Sequence, residues 1–419
     1  MSDFIEFLYS RFLLSDGVSI DTRTIEEGNL FFAVSGPNFD ANTFAQEALE
    51  KGASYAVIDD PKYEKGDRFI RAENALVALQ ELATFHRSRF KRPVIGITGS
   101  NGKTTTKELI DKVLSKQYIT HATKGNYNNH IGVPLTLLHI HPQVEIAIIE
   151  MGANHVGDIA QLCAFAKPTH GLITNIGRAH TETFGGIEGI IRGKSELFDF
   201  LRKNDGKAII NTNDKVLSNM QKRFSDSLSF PPEDVALLSD QPFLSIGIGE
   251  TEIETQLLGK YNFNNLGAAI AVGRAFEVSE EKIGEAIAEY IPDNARSQLI
   301  KRDSTTIILD AYNANPDSMI AAIENLAASK GKKVAILGDM NELENPDAAH
   351  QEVLTKAKEH QIDQIITVGE KMSKAEGADR HFGEKEALTK YLENESFNEA
   401  TVLLKASRSI KLETVLKYI

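Results

Sequence analysis

Residues 94–106 constrain the fold of this chain more than any other segment. They read Val-Ile-Gly-Ile-Thr-Gly-Ser-Asn-Gly-Lys-Thr-Thr-Thr, so a β-branched apolar run ends in a glycine-rich turn and leads into a helical pattern. This order predicts a strand, a tight loop and a helix in direct succession. Gly99 and Gly102 allow the backbone to turn sharply and approach an anion. The first helical amides then face that anion, which makes the loop a candidate phosphate cradle.

The residues around the two glycines support this interpretation. In a phosphate loop, Lys103 reaches the terminal phosphates and the Thr104 hydroxyl ligates Mg²⁺. Ser100, Asn101 and Thr105 complete the predicted nucleoside triphosphate site. Ile97 stands where the usual P-loop has its first glycine, so this loop is shorter and differs from that of common P-loop kinases and GTPases. An ordinary strand-to-helix turn is the alternative, which the threonine beside the lysine disfavours.

Composition limits the partners and the compartment. At 419 residues the chain is long enough for three domains of ~150 residues each. Its net charge of −13 disfavours nucleic acid and anionic membranes as partners. Cys163 is the only cysteine, which excludes an internal disulfide and suits a reducing cytoplasm. No apolar run is long enough to span a bilayer, and the N-terminus has no basic stretch typical of a secretory signal.

Strands and helices alternate along the chain, which predicts an α/β fold with mostly parallel sheets. The pattern favours a small domain at residues 1–90, a central domain at 91–291 and a Rossmann-like domain at 292–419, with the boundaries at Pro93 and at Pro292-Asp293-Asn294. Predicted strands cover 30–34, 55–58, 94–97, 145–150, 171–174, 207–211, 306–309, 333–337, 364–368 and 401–404. Predicted helices cover 43–51, 75–90, 268–276 and 280–290, and another follows residues 315–317.

Three polar clusters follow the phosphate loop in the central section. The loop 124–134 contains Asn128 and Asn129, which either form turns or contact phosphate or substrate. Glu150 ends an apolar strand, where ligands bind in open α/β sheets, and is a candidate Mg²⁺ ligand; a solvated strand-end carboxylate is the alternative. His180 ends a glycine-bearing loop after the next strand, and Lys194 follows in Gly-Lys-Ser-Glu.

In this order, the segments resemble the ATP-dependent Mur ligases of peptidoglycan synthesis. The family's loop reads Thr-Gly-x-Asn-Gly-Lys-Thr, as residues 98–104 do, and its Glu-Met-Gly-Ala, Asn-x-Gly-x-Ala-His and Gly-Lys-x-Glu segments recur at 150–153, 175–180 and 193–196. Residues 259–265 resemble a further signature, with Tyr261 in place of a histidine. The resemblance implies that Asn262 and Asn265 lie near the adenine.

The C-terminal section resembles the branch of the family that adds D-alanyl-D-alanine. The similar segments are residues 310–318, 338–343 and 405–409, where Ala406 replaces the usual glycine. The Asp-Asn-Pro-Arg segment of the branch that adds a diamino acid is absent from the sequence. Five N-terminal residues resemble the part of the family that holds a uridine nucleotide: Asp21, Thr22, Arg23, Phe39 and Asp40.

The resemblance implies an amide ligase that uses ATP and two Mg²⁺ ions. UDP-MurNAc-tripeptide would be phosphorylated by ATP at its terminal carboxylate, and the amine of D-Ala-D-Ala would then displace phosphate from the acyl phosphate. Lys103, Lys194, His180 and Arg296 would form the catalytic set. Thr104 and Glu150 would hold one metal and His180 the second. Lys194 would be carbamylated by CO₂ to become a metal-binding anion; a surface lysine paired with Glu196 is the alternative.

Several implied ATP and substrate contacts lie beyond the second boundary. Arg296 matches an arginine that reaches the ATP phosphates, and Asp310 matches a ribose contact, so the domains would have to close over the nucleotide. Asn313, Asn315 and Ser407 are candidates for the dipeptide pocket, with loop capping as the alternative. A sister Mur ligase, a folylpolyglutamate synthetase-type enzyme and a nucleotide-binding module without ligase activity remain the rival interpretations. We expect a monomer located in the cytoplasm.

Overall fold

The computed structural model describes residues 3–293 and 295–419, and Asn294 of the predicted second boundary lies outside them. Three mainly parallel sheets follow one another along the chain, and a small antiparallel sheet lies between the second and the third. The predicted α/β class is therefore confirmed. Among the described residues, no helix is long and apolar enough to cross a membrane.

The N-terminal unit is a four-stranded parallel sheet with strands in sequence order. Its strands are β1 (Val18–Ser19), β2 (Leu30–Phe32), β3 (Tyr55–Ile58) and β4 (Phe69–Arg71), and its helices are α1 (Asp3–Phe12), α2 (Ala45–Glu50) and α3 (Ala75–Arg89). The helix predicted at 43–51 differs at its start, where a 3₁₀ turn covers Ala41–Phe44. The turn forms because the Asp40 carboxylate accepts a hydrogen bond from the Asn42 amide at 3.0 Å.

The central unit is a six-stranded parallel sheet in the order β10-β9-β8-β5-β7-β6. Its strands are β5 (Val94–Thr98), β6 (Thr120–Ala122), β7 (Ile146–Glu150), β8 (His170–Ile173), β9 (Lys207–Asn211) and β10 (Ser227–Phe230). The helices around it are α4 (Lys103–Ser115), α5 (Gly132–Leu138), α6 (Asp158–Ala166), α7 (Thr181–Phe184), α8 (Ile187–Lys203), α9 (Lys215–Met220), α10 (Asn262–Ala275) and α11 (Glu280–Ala288).

Both faces of this sheet are covered, so its central strands consist of buried apolar residues. β5 lies between β7 and β8 and is buried along its whole length. The predicted phosphate loop therefore leaves the middle of the sheet at its carboxyl edge. On one face, Cys163 of α6 is fully buried and its thiol lies 3.8 Å from the Met151 sulfur.

A three-stranded antiparallel sheet was not predicted. It contains β11 (Val235–Ser239), β12 (Ser245–Ile248) and β13 (Thr251–Glu254). Only β12 is buried throughout, whereas β11 and β13 are mostly exposed, so the sequence shows no clear alternation there. The helix predicted at 268–276 begins earlier, at Asn262. The prediction started too late because the first turn contains polar asparagines and the apolar run begins only after them.

The C-terminal unit is a six-stranded sheet in the order β14-β15-β19-β16-β17-β18. Its strands are β14 (Gln298–Arg302), β15 (Thr305–Leu309), β16 (Lys332–Gly338), β17 (Gln364–Val368), β18 (Arg380–Phe382) and β19 (Ala400–Lys405), and its helices are α12 (Pro316–Ala327), α13 (Pro346–Glu359) and α14 (Lys385–Leu392). All neighbours pair in parallel except β14, an unpredicted edge strand that runs antiparallel to β15.

Candidate active site between the central and C-terminal units

A cavity of about 810 Å³ lies where the carboxyl ends of β5, β7 and β8 face the C-terminal unit. Most of the predicted site residues line it. They are Ser100, Asn101, Gly102, Lys103, Thr104, Thr105, Asn128, Asn129, Glu150, His180, Asn262, Asn265, Arg296, Asp310, Asn313 and Asn315. Other predicted residues do not line it: Gly99, Lys194, Ser407, Asp21, Thr22, Arg23, Phe39 and Asp40.

The phosphate loop requires glycine at position 99. Gly99 has φ +149°, and a Cβ added there would lie only 1.8 Å from the Thr174 hydroxyl oxygen. That hydroxyl donates a hydrogen bond to the Asn101 carbonyl at 2.6 Å. Gly99 therefore allows the loop to pack against Thr174, on the side away from the cavity, while the following residues line the cavity.

The segment after β8 holds the loop in place. Asn175 accepts a hydrogen bond from the Asn101 amide at 3.0 Å and donates one to the Asn101 carbonyl at 2.9 Å. The Ser100 hydroxyl donates to the Gly177 carbonyl at 2.9 Å. The sequence showed Asn175 only as part of a motif. Its contact with Asn101 forms because β8 and β5 are neighbours in the sheet.

Lys103 folds back over the loop. Its ammonium group donates to the carbonyls of Gly99 at 2.7 Å and Ser100 at 3.2 Å. Burial lowers the pKa of Lys103 to about 8; Arg296 adds to this effect and Glu150 opposes it. The Lys103 amine is thus held at the loop. A bound polyanion such as the phosphates of ATP would stabilise its charged form.

Glu150 fits a divalent cation. One carboxylate oxygen accepts a hydrogen bond from Asn128 at 2.7 Å, and the other is buried without a hydrogen-bond partner among the described residues. A buried carboxylate oxygen without a partner is costly unless a cation neutralises it. Thr104 also lines the cavity, so Glu150 and Thr104 could supply oxygen ligands of the kind that Mg²⁺ prefers.

His180 lies on the boundary between the two units. It has φ +59°, and its Nδ1 contacts the carboxylate of Glu342 from the C-terminal unit. This contact with His180 lowers the pKa of Glu342. Sequence reasoning assigned Glu342 no role, because only the fold brings it beside His180. An imidazole and a carboxylate together remain a donor set that a metal could use.

Lys194 is buried in α8, with 1% of its surface exposed. Among the described residues its ammonium group forms no hydrogen bond or ion pair, and it lies 5.4 Å from the centre of the Phe184 ring. Burial, with a smaller contribution from Lys103, lowers the pKa of Lys194 well below its usual value. This environment favours the neutral amine, which is the form that reacts with CO₂.

Glu196 is not the partner of Lys194. Its carboxylate instead accepts hydrogen bonds from the amides of Gly157 at 2.6 Å and Ala160 at 2.8 Å. These amides lie at the start of α6, so Glu196 caps that helix. The alternative of a surface lysine paired with Glu196 is therefore wrong.

The C-terminal unit contributes a cation and a carboxylate to the cavity. The Arg296 guanidinium lies 3.7 Å above the Tyr312 ring, and its Nε is buried without a hydrogen-bond partner among the described residues. Asp310 forms an ion pair with Lys405 at 2.6 Å and accepts a hydrogen bond from the Ser297 amide at 3.3 Å. Lys405 is a cavity residue that sequence reasoning did not assign.

The two predicted adenine-side asparagines bond to each other. Asn265 donates to the Asn262 side-chain oxygen at 2.7 Å and accepts a hydrogen bond from Thr106 at 3.0 Å. Asn262 in turn donates to the Leu258 carbonyl at 2.8 Å. This network orders the first turn of α10 beside the phosphate loop.

Other predicted substrate residues have local structural contacts. Asn129 accepts from the Ile131 and Gly132 amides, and Asn313 from the Ala314 amide. Asn315 caps α12 and also donates to Asn101 of the phosphate loop at 2.7 Å, which joins the two units. Ser407 is buried outside the cavity, where it accepts a hydrogen bond from Asn341. Their contacts with substrate stay predictions.

The predicted uridine-side residues lie in the N-terminal unit, away from the cavity lining. The Asp21 carboxylate accepts hydrogen bonds from Arg23, which lower its pKa to about 2, and the Thr22 carbonyl accepts one from Lys51. Phe39 is 51% exposed and lies 5.7 Å from Phe44 between ring centres.

Three sequence profiles match the chain in order. They describe the "Mur ligase family, catalytic domain" at residues 15–87, the "Mur ligase middle domain" at 97–273 and the "Mur ligase, glutamate ligase domain" at 295–408. A UDP-N-acetylmuramoyl-tripeptide–D-alanyl-D-alanine ligase of Bacillus subtilis is 37% identical over 96% of this chain and 92% of its own length. The chain belongs to the Mur ligase family.

Solved structures of this family agree with that assignment. MurF from Acinetobacter baumannii superposes with a TM-score of 0.87 at 28% identity, covering 99% of this Mur ligase and 97% of that chain. MurF from Thermotoga maritima in complex with ADP gives 0.83 at 27% identity, covering 100% and 98%. The resemblance seen in the motifs is therefore confirmed over the whole length of the chain.

Proposed function

We propose that this Mur ligase joins D-Ala-D-Ala to UDP-MurNAc-tripeptide with cleavage of ATP to ADP and phosphate, in peptidoglycan precursor synthesis. One observation carries the proposal. The phosphate loop with Lys103, the unpartnered carboxylate oxygen of Glu150, and Arg296 from the other unit all face one cavity. The printed activity of the B. subtilis relative and the likeness to MurF structures support the same reaction.

The chemistry needs no protein nucleophile. The terminal carboxylate of the tripeptide attacks the γ-phosphorus of ATP and ADP leaves; the amine of D-Ala-D-Ala then attacks the acyl carbon, phosphate leaves and the amine loses a proton. The protein must hold two anions together and neutralise charge. Lys103, Arg296 and the amides of residues 100–104 would do this, and these residues line the cavity.

Two Mg²⁺ ions would screen the phosphate and carboxylate charges when bound. Thr104 and Glu150 would hold one, and His180 with carbamylated Lys194 the second. The burial of Lys194 and the absence of an ion-pair partner among the described residues support the carbamate. Gly99 to Thr105 would bind the phosphates, Asn262 and Asn265 would lie near adenine, and Asp310 would bind ribose.

The remaining assignments belong to the same proposal. Domains at 1–90, 91–291 and 292–419 would bind the uridine nucleotide, bind ATP, and close over the acceptor amine, respectively. The exposed Phe39 and the charged Asp21, Arg23 and Asp40, with Thr22, would contact UDP. Asn128, Asn129, Asn313, Asn315 and Ser407 would define the peptide pocket. The enzyme would act as a cytoplasmic monomer.

Phosphate release tests the reaction directly. We expect release only when ATP, Mg²⁺, a UDP-MurNAc-tripeptide and D-Ala-D-Ala are all present, with tripeptides ending in meso-diaminopimelate and in lysine assayed side by side. Turnover stimulated by a single amino acid or by glutamate, and not by D-Ala-D-Ala, would favour a sister ligase or a folylpolyglutamate synthetase-type enzyme. Nucleotide binding without turnover would leave only a binding module.

The carbamate has its own test. ¹³C NMR of the protein equilibrated with ¹³CO₂ should show a carbamate signal that disappears in Lys194→Ala, and small carboxylates such as acetate should restore part of the activity of that variant. Lys203→Ala, at the exposed end of the same helix, is the matched control. The idea fails if Lys194→Ala remains as active as wild type, or if the signal persists in it.

A further inference from the structure

Arg178 joins the central unit to two helices of the C-terminal unit. Its Nε donates to Asp317 of α12 at 2.7 Å. Its two terminal nitrogens donate to the two carboxylate oxygens of Glu352 on α13, at 2.7 and 3.1 Å. The backbone amide of Arg178 donates to the second oxygen of Asp317, also at 2.7 Å. One residue thus makes four hydrogen bonds across the boundary.

The residues next to these contacts are hydrogen-bonded to the phosphate loop. Gly177, the preceding residue, exchanges hydrogen bonds with Ser100 of that loop. Two residues before Asp317, Asn315 donates to Asn101 of the same loop. Asp317 therefore lies in a segment that touches the loop and lines the cavity. A substitution of Arg178 should therefore alter the positions of residues in both the phosphate loop and the cavity.

The charges favour this docked arrangement. Bonds from Arg178 to two carboxylates raise its pKa, with the Glu352 bond the larger cause. Asp317 lies in the first turn of α12, where a negative charge is also favoured by the helix dipole. The three side chains keep 35–41% of their surface exposed, so dissolved salt can screen them.

We propose that Arg178, through Asp317 and Glu352, is the positioning residue that holds residues 315–318 against the phosphate loop and so completes the site for the acceptor amine. Among the described residues, other contacts between the two units in this region include the neutral hydrogen bond between Asn101 and Asn315 and the His180–Glu342 contact. Arg178 differs from these contacts in that it engages two separate helices, α12 and α13. The kinetic part of this inference rests on the proposed ligase function, whereas the docking itself does not.

Small-angle scattering and kinetics test the inference together. With ATP analogue and Mg²⁺ bound, Arg178→Ala should have a larger radius of gyration than wild type, and its KM for D-Ala-D-Ala should rise about tenfold, because a less populated closed state weakens apparent binding. Glu352→Gln should give a smaller change in the same direction. Glu359→Gln, which removes a carboxylate from the exposed part of the same helix, is the matched control and should behave as wild type.

A double-mutant cycle makes the test specific. Glu352→Ala should have little further effect in an Arg178→Ala background, and raising KCl from about 0.05 M to about 0.5 M should increase the KM of wild type much more than that of Arg178→Ala. Arg178→Lys keeps the positive charge without the paired hydrogen bonds, so its KM should lie between those of wild type and Arg178→Ala. This variant keeps the inference testable if the alanine variant fails to fold. Wild-type scattering and KM in Arg178→Ala, or additive effects in the cycle, would overturn the inference. Absence of ligase activity in the wild-type protein would refute the proposed function. The scattering comparison of wild type with Arg178→Ala would still show whether Arg178 holds the two units together.

Discussion

The buried ion pair between Lys405 and Asp310 gives a prediction that can be worked out from the structure. The Lys405 side chain is 2% exposed and that of Asp310 14% exposed, and their charged atoms lie 2.6 Å apart. Lys405 also donates to the Asn313 carbonyl at 3.3 Å. Lys405→Met keeps the length of the side chain but leaves the carboxylate without its cation.

Removing one partner of a buried pair costs ~3–5 kcal/mol, since the remaining charge stays desolvated. The partial exposure of Asp310 lets water offset some of this, so we expect a loss of about 3 kcal/mol in the free energy of unfolding of the C-terminal unit. For a unit of this size the loss corresponds to a fall of about 10 °C in melting temperature. ATP affinity should fall as well, because Asp310 would lose its fixed orientation in the cavity.

Circular dichroism during urea unfolding measures the change, which suits a chain that contains no tryptophan. Adding Asp310→Asn to Lys405→Met should recover more than half of the loss, since the uncompensated charge is then removed. Lys332→Met, an exposed lysine on the neighbouring strand β16, is the control and should change stability little. Equal losses in the single and double variants would refute the reasoning.

Three further predictions concern the phosphate loop and the neighbouring Glu150. Gly99→Ala should weaken ATP binding about 10- to 100-fold by calorimetry, because its Cβ displaces the Thr174 hydroxyl, whereas Gly383→Ala, which meets open space, should not. Glu150→Gln should abolish the Mg²⁺ dependence of ADP binding without lowering the melting temperature of the ligand-free protein. A lower melting temperature would contradict the cost assigned to the carboxylate oxygen that has no hydrogen-bond partner among the described residues. Lys103 has a folded pKa of about 8, below that of the unfolded chain, so between about pH 8 and 10 the folded state binds fewer protons. Ligand-free stability relative to Lys103→Met should therefore rise over that range while ATP affinity falls, and an opposite slope would contradict the pKa.

Much of the fold follows from local patterns in the sequence. The predicted strands at 55–58, 207–211 and 364–368 have the bounds of β3, β9 and β17, because each is a short apolar run flanked by polar turns. The phosphate loop was also predictable, since glycines, lysine and threonine at fixed spacing leave few alternatives. The antiparallel sheet of β11–β13 was missed because its outer strands are exposed and lack alternation.

Apart from the phosphate loop and the residues implied by the family resemblance, the candidate site was predictable where a polar residue lies at or after the end of a strand. Glu150 and His180 come after strands whose carboxyl ends meet at one edge, so their proximity follows from a parallel sheet. Lys405, Glu342 and Arg178 obtain their partners from segments 95, 162 and 139 or more residues away in the chain. The contacts of Glu342 and Arg178 depend on how two units dock, which no local pattern in either unit specifies. The contact of Lys405 with Asp310 depends on the pairing of β19 with β15 within the C-terminal unit.

The burial of the single cysteine has a practical consequence. Cys163 is fully enclosed beside Met151, and the surrounding apolar residues raise the pKa of its thiol, so it stays uncharged and unreactive towards thiol reagents. Cysteines introduced on the surfaces of α8 and α13 would thus be the sole points of attachment for fluorescent or spin labels. Distances between such labels, measured with and without ATP and substrates, would show whether the cavity opens and closes during turnover.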